Sequence, residues 1–222
     1  MPREQICTLE SMTAADYVAV EGWLRPMATT SALTCDMNDL VTAEALKEAN
    51  ESGKVRNFMV VTTAGDRVGV VSYRPSGGHR AYIIGGAIGD PARWSSGVGG
   101  EAMGLLVDHL FHQLNAHRVE FAAAAYNKHT ISMLTKGGFV LEGVLRDFYF
   151  LDGEYHDKTI WSLLRDEFVA GARQFKEHAP VLDLVPAKEK QRAKELLAKY
   201  IANEPGSSWL SFADRAARER PY

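Results

Sequence analysis

The stretch Gly89 to Leu114, GDPARWSSGVGGEAMGLLVDHLFHQL, most narrowly limits what this chain can fold into. An apolar run, Ala81 to Ile88, stops just before it. After Trp94-Ser-Ser-Gly-Val-Gly-Gly100, the residues Met103, Leu106, Val107, Leu110 and Leu114 recur three or four apart. That spacing makes one apolar helical stripe. The order is therefore strand, tight glycine-rich turn, helix. Consecutive glycines let a backbone approach a ligand with no Cβ in the way. The first amides of the new helix, around Gly97 to Glu101, have no intrahelical acceptor, and the helix dipole favours an anion there. The stretch reads as a phosphate cradle; the alternative is that its glycines only pack helix against strand.

Two familiar phosphate loops fit poorly. A P-loop needs Lys-Ser/Thr after its glycines, and Glu101-Ala102 stands there. A Rossmann loop needs an acidic residue closing the next strand, and that strand ends Ala122-Ala-Ala-Ala125. A cradle without either suits a pyrophosphate held by backbone alone.

Ile88-Gly-Asp-Pro-Ala-Arg-Trp94-Ser-Ser-Gly-Val-Gly-Gly-Glu-Ala102 resembles the acyl-CoA loop of the GNAT superfamily of N-acyltransferases. The similarity is greatest to the branch that includes ribosomal-protein N-terminal acetyltransferases, which often carry Trp at the place of Trp94. Downstream, Asn127-Lys-His-Thr130, then Gly138-Phe139, then Glu142-Gly143 resembles the second signature of that family. The resemblance covers about residues 6 to 168. It implies an α+β, three-layer fold with a central mixed, partly splayed sheet flanked by helices. The expected organisation is an acyltransferase domain over 1–168 and a helical C-terminal extension over 169–222, packed on the domain or on a partner subunit.

The resemblance also implies site residues. The acyl-CoA would lie against Ile88, Trp94, Ser95, Ser96, Gly97, Val98, Gly99, Gly100, Asn127 and Thr130. A backbone amide near Ile88 would hold the oxyanion. Thr130 stands where the branch has a serine suggested to protonate the leaving thiolate. Tyr149 stands where the ribosomal enzymes place a glutamate base, which is a departure, since a tyrosine of pKa about 10 is a poor base at neutral pH. Asp147, two residues away on one strand, would share that face by alternation and deprotonate the amine through water. Ile83 and Leu134 occupy positions where other GNAT proteins carry a polar catalytic group. Residues 23 to 38 would roof the acceptor site. With Asp36 as their one carboxylate, they argue against a polyamine acceptor.

The implied function is transfer of an acyl group, acetyl first, from acyl-CoA to a primary amine of a small molecule or peptide N-terminus. Attack would be direct, in a ternary complex, because Cys7 and Cys35 lie outside both signatures. A carrier-protein acyl donor and a CoA-binding interaction module without turnover stay open. So does a homodimer.

Composition adds bounds. A net charge of −3 over 222 residues gives no reason to expect nucleic acid as a partner. No apolar run approaches the ~20 residues that span a bilayer. The N-terminus, MPREQICTLE, lacks the apolar core of a secretory signal, so a cytoplasmic location is expected. His109 and His112 are helical neighbours, but with Asp108 expected to face elsewhere no ligand set is completed and no metal is expected.

The remaining elements read as follows. Ile6 to Leu9 is a strand, and Thr13 caps a helix over Ala14 to Leu24. Residues 27 to 37 form a loop, and Asn38 caps a helix over Asp39 to Asn50. Phe58 to Thr62 and Val68 to Tyr73 form a hairpin. Gly85-Gly86 inside the next strand suggests a bulge or a close ligand. Asn127 to Lys136 is a helix, and Phe139 to Leu151 pairs with Glu154 to Leu164 about Asp152-Gly153. In the tail, Arg165 to His178 and Ala187 to Asn203 are helical. From Ala187 on, basic residues exceed acidic ones by three.

Overall fold

The pattern of short apolar strands punctuated by turns builds a seven-stranded sheet. The computed structural model describes residues 5–34, 41–174 and 185–203. Its strands are β1 (Cys7–Ser11), β2 (Arg56–Thr62), β3 (Arg67–Pro75), β4 (Ala81–Ile88), β5 (Arg118–Ala124), β6 (Val140–Leu151) and β7 (Glu154–Leu164). They lie in the order β1-β2-β3-β4-β5-β7-β6. Every neighbouring pair is antiparallel except β4 and β5, which are parallel. The parallel pair needs a crossover, and the helix after the glycine turn supplies it.

That helix, α4 (Val98–His112), buries the face predicted by its spacing: Met103, Leu106, Val107 and Leu110 are all at most 6% exposed. They pack with Val119, Phe121 and Ala123 of β5 and Trp161 and Leu163 of β7. Helix α5 (Lys128–Lys136) adds Leu134 to this layer, and α6 (Arg165–Gln174) adds Phe168, stacked on Phe111 at 4.7 Å. On the opposite face, α1 (Ala14–Leu24) sets Val20 and Leu24 against Val70 and Ala87, with Leu46 of α3 (Ala43–Glu51) beside them. The three layers expected from the resemblance are present.

Local chemistry explains the boundaries. Thr13 and Asp16 form a reciprocal capping box at the start of α1. Thr42, not Asn38, caps α3, so that helix starts four residues later than the sequence suggested. Residues 27 to 37 are not all loop: α2 (Thr29–Thr34) forms there, with Ser31 Oγ donating to the carbonyls of Arg25 and Ala28. A single turn tied by hydroxyls shows no apolar period, which hid it. Cys35, Asp36 and Asn38 lie outside the described residues. The β6–β7 hairpin turns at Asp152-Gly153, both with positive φ, as expected.

The chain divides into two compact units, 1–179 and 180–222. In the second, α7 (Ala187–Asn203) exposes Leu196, Leu197 and Tyr200. Among the described residues, no helix is long and apolar enough to cross a membrane.

Candidate active site

The site begins where two strands part. Strands β4 and β5 pair only through Ala81↔Arg118, Tyr82↔Val119 and Ile83↔Glu120. Beyond Ile83, β4 stays paired to β3 as far as Ile88↔Gly69, and β5 stays paired to β7 as far as Ala124↔Lys158. The two strands follow their outer partners and open a V between them.

Backbone alternation sets what lines the V. Gly89 N–H donates to the Val68 carbonyl. In an antiparallel ladder hydrogen-bonded and non-bonded pairs alternate, so the backbone groups of Ile88, Gly86 and Ile84 turn away from β3. By the same rule, Ala125 N–H donating to the Asp157 carbonyl turns Ala122 and Ala124 away from β7. Both inner edges of the V therefore present peptide groups to the gap. Gly86 is exposed there, and the β3–β4 register runs through Gly85 and Gly86 with no bulge. The bulge that these glycines suggested is absent. Gly86 instead fits a tight strand, since a Cβ on it would come 2.8 Å from the Val70 carbonyl oxygen.

At the open end stands the glycine turn. Asp90 caps a single 3₁₀ turn, Pro91–Arg93, by accepting from Ala92 N–H at 2.9 Å. Arg93 holds this turn to Asp66 at 3.0 Å. Gly97, with φ +87°, is the N-cap of α4. Glu101 N–H makes the first helical bond, to the Gly97 carbonyl, so the amides of Val98, Gly99 and Gly100 precede any intrahelical acceptor. Ser95, Ser96, Gly97 and Gly100 are exposed, and Val98 is buried. A Cβ on Gly100 would meet open space, whereas one on Gly99 would press on Ile88 Cγ1 at 3.3 Å. Gly99 thus serves helix–strand packing, while Gly97 and Gly100 put no side chain over the helix start, where Val98 N–H donates to Ser96 Oγ at 3.4 Å. This arrangement fits a diphosphate.

Trp94 closes one side. Its indole N–H donates to the Ile88 carbonyl at 2.8 Å, and its ring meets His129 of α5 edge-on at 5.8 Å. Asn127 caps α5 by accepting from Thr130 N–H at 3.0 Å, and its Nδ2 donates to the Leu33 carbonyl. Tyr126 Oη donates to the Ala32 carbonyl at 2.7 Å. These two bonds fasten α2 to the β5–α5 corner, at the end of one arm of the V. Trp23 of α1 lies flat on Gly89, where any Cβ would enter its ring.

The other candidates are placed less simply. Tyr149 is 9% exposed and Asp147 is exposed. The β6–β7 register shifts between Leu145 and Tyr149, and Asp147 has φ +53° with its N–H on Asp157 Oδ1. Strand alternation is broken there, so the two-residue spacing no longer sets Asp147 on the Tyr149 face. Asp108 does not face away from the histidines: its Oδ1 is 2.8 Å from His112 Nδ1. Burial pushes the Asp108 carboxyl up, and His112 only partly offsets that. Among the described residues, no group of three or more His, Cys, Asp or Glu is placed to hold a metal.

Sequence reasoning missed two carboxylates. Glu101 reaches back from α4 to accept from Ile6 and Cys7 N–H, tying β1 to the glycine turn. Cys7 is fully buried, and desolvation, with Glu101 nearby, pushes its thiol up to about 11. Glu142 takes both terminal nitrogens of Arg118 and the Ser162 hydroxyl. Those bonds hold its carboxyl at about 2. Both are long-range pairings with no local periodicity to announce them.

A mixed sheet with a parted parallel pair and a helix start across its mouth defines an acyl-CoA-type transferase fold. The description "Acetyltransferase (GNAT) domain" matches residues 7–140, and the chain belongs to that family of N-acetyltransferases. The Probable N-acetyltransferase YjcK of Bacillus subtilis is 30% identical over 124 residues, 54% of this chain and 68% of its own length. The Uncharacterized N-acetyltransferase p20 of Bacillus licheniformis is 35% identical over 34% of this chain and 42% of its own. Among solved structures, spermidine N-acetyltransferase from Vibrio cholerae in complex with CoA and spermine superposes with TM-score 0.64 at 20% identity. It covers 75% of this chain and 99% of its own. Ribosomal-protein-S5-alanine acetyltransferase from Vibrio fischeri superposes with TM-score 0.57 at 19% identity, covering 75% and 97%. At these identities the likeness is one of fold.

Proposed function

We propose that this enzyme transfers an acetyl group from acetyl-CoA to the primary amine of a small molecule or of a peptide N-terminus, by direct attack in a ternary complex. One observation carries the reading: the V between β4 and β5 is edged on both sides by peptide groups that no strand satisfies. An unpaired strand edge is a template for another extended backbone. An extended ligand with amides of its own, such as a pantetheine arm, adds to a strand edge as another strand would. Gly97 and Gly100, with the amides of Val98 to Gly100, would take the diphosphate at its far end. Trp94, Ser95, Ser96, Asn127 and Thr130 would flank the arm, and Ile88 N–H would face the carbonyl oxygen. Holding two substrates together supplies a large part of the rate.

The composition of the roof weighs against a polycationic acceptor. Among the described residues from 23 to 34 there is no carboxylate. Carrier-protein delivery of the acyl group is the second reading. It is favoured by the exposed basic side chains of α7, Lys188, Lys190, Arg192, Lys194 and Lys199.

The test is thiol release from acetyl-CoA across a panel of primary amines and peptides with free N-termini. Amine-dependent release is expected. Acetyl-CoA binding with no release for any amine would favour a binding module instead, and release only from an acylated carrier protein would favour the second reading.

A further inference from the structure

The parting of β4 and β5 leaves one carboxylate at its apex. Ile83↔Glu120 is the last pair before the strands separate. Val119 and Phe121 point into the α4 core, so Glu120 between them points to the opposite face, toward α1 and α2. Ile83 stands beside it on that face and is apolar. Glu120 is therefore the side chain that joins the base of the V to the roofed side of the sheet.

Its setting is built. Glu120 Oε1 accepts from Arg118 Nε at 3.0 Å. The two terminal nitrogens of the same guanidinium are taken by Glu142, which Ser162 also bonds. Arg118 is thus shared between two carboxylates, and the group keeps one uncompensated negative charge. Glu120 Oε2 accepts no hydrogen bond among the described residues. The side chain is 26% exposed, reachable by a small ligand yet held on one oxygen. Lys158, on the same face of β7, sets its Nζ 4.2 Å over the Phe148 ring.

We propose that Glu120 is the catalytic carboxylate that receives the acceptor amine at the apex of the V and takes its proton. This rests on the acetyl-transfer reading above. A primary ammonium gives one proton to Glu120 Oε2. The freed nitrogen lone pair attacks the thioester carbonyl carbon. The C–N bond forms, the C–S bond breaks, and the second proton lost by the nitrogen goes to the departing sulfur. The products are the amide and the free thiol, and Glu120 returns its proton to water. Arg118, Glu142 and Ser162 are positioning residues, since they act on Glu120 and not on the amine.

The experiment compares wild type, Glu120→Gln and Glu120→Asp with acetyl-CoA and an amine that the wild type acetylates, between about pH 6 and pH 10. Glu120→Gln keeps an acceptor for Arg118, so the fold holds; its acetyl-CoA Kd, by calorimetry, should equal that of wild type. Its kcat/KM for the amine should fall about a hundredfold at neutral pH. The deficit should shrink as the pH rises and the amine arrives already neutral, and Glu120→Asp should restore part of the loss. Turnover of Glu120→Gln within about twofold of wild type would overturn the assignment. So would a pH-independent deficit, or a loss matched by lost acetyl-CoA binding, each of which marks a structural role. If the wild type binds acetyl-CoA but acetylates no amine, the proposed function fails and this assignment with it. Wild-type turnover with an unaffected Glu120→Gln removes this assignment alone.

Discussion

At Gly97 a single backbone angle decides whether a side chain is tolerated. Its φ of +87° lies where an L-residue is strained by about 1–2 kcal/mol, although a Cβ there would meet little. Gly97→Ala is expected to lower stability by about 1 kcal/mol and to weaken acetyl-CoA binding, because relief of the strain re-aims the first amides of α4. Thermal melting and calorimetry read the two effects. Glu142 offers a prediction in pH. Hydrogen bonds from Arg118 and then Ser162 hold its carboxyl at about 2, below an ordinary glutamate near 4.3. A depressed carboxylate contributes stability above its unfolded value, and that contribution is lost as pH falls through the folded one. Glu142→Gln should therefore cost about 1 kcal/mol at neutral pH, after discounting for its partial exposure, and progressively less as the pH falls from about 5 through 2. Denaturant melts at both ends of that range check it; a constant difference would contradict the linkage.

At the scale of elements, reading sequence worked where a period or a cap was local. The α4 stripe, the Thr13 cap, the Asp152-Gly153 turn and the extent of α7 were all legible. What was not legible depended on contacts from afar. Helix α2 is stabilised by the Ser31 hydroxyl on the carbonyls of Arg25 and Ala28 just before it and by Tyr126 from β5's end, and neither leaves a hydrophobic period. The bulge at Leu145–Tyr149 breaks an alternation that no residue in the run marks as ending. Asp108 meets His112 because residues four apart on a helix are neighbours. The Tyr126 bond carries the prediction at this scale. Tyr126→Phe removes a fastening of the roof while leaving the V intact. KM for the amine should rise several-fold with acetyl-CoA affinity unchanged, in steady-state kinetics and calorimetry. An equal fall in acetyl-CoA binding would mean that the roof and the slot are not separable in this way.

For the whole molecule, every residue assigned to binding or chemistry lies within the first unit, residues 1–179. A chain ending at residue 179 is expected to keep its acetyl-CoA affinity, so any loss in turnover with a given acceptor would locate a role for α7 in donor or acceptor delivery. The two family signatures were visible in the sequence because each is a contiguous run around a turn and a helix start. The apex carboxylate was hidden because only the end of the β4–β5 pairing singles out Glu120 from other strand glutamates. The proposed function requires the helix start and the parted strand pair together to hold acetyl-CoA. Calorimetry with acetyl-CoA and then with free phosphopantetheine tests it most directly. Acetyl-CoA should bind with micromolar affinity, at least about tenfold tighter than phosphopantetheine, since only the former presents a diphosphate to Val98–Gly100. Equal binding of the two would remove the diphosphate site, and no binding of either would contradict the slot itself.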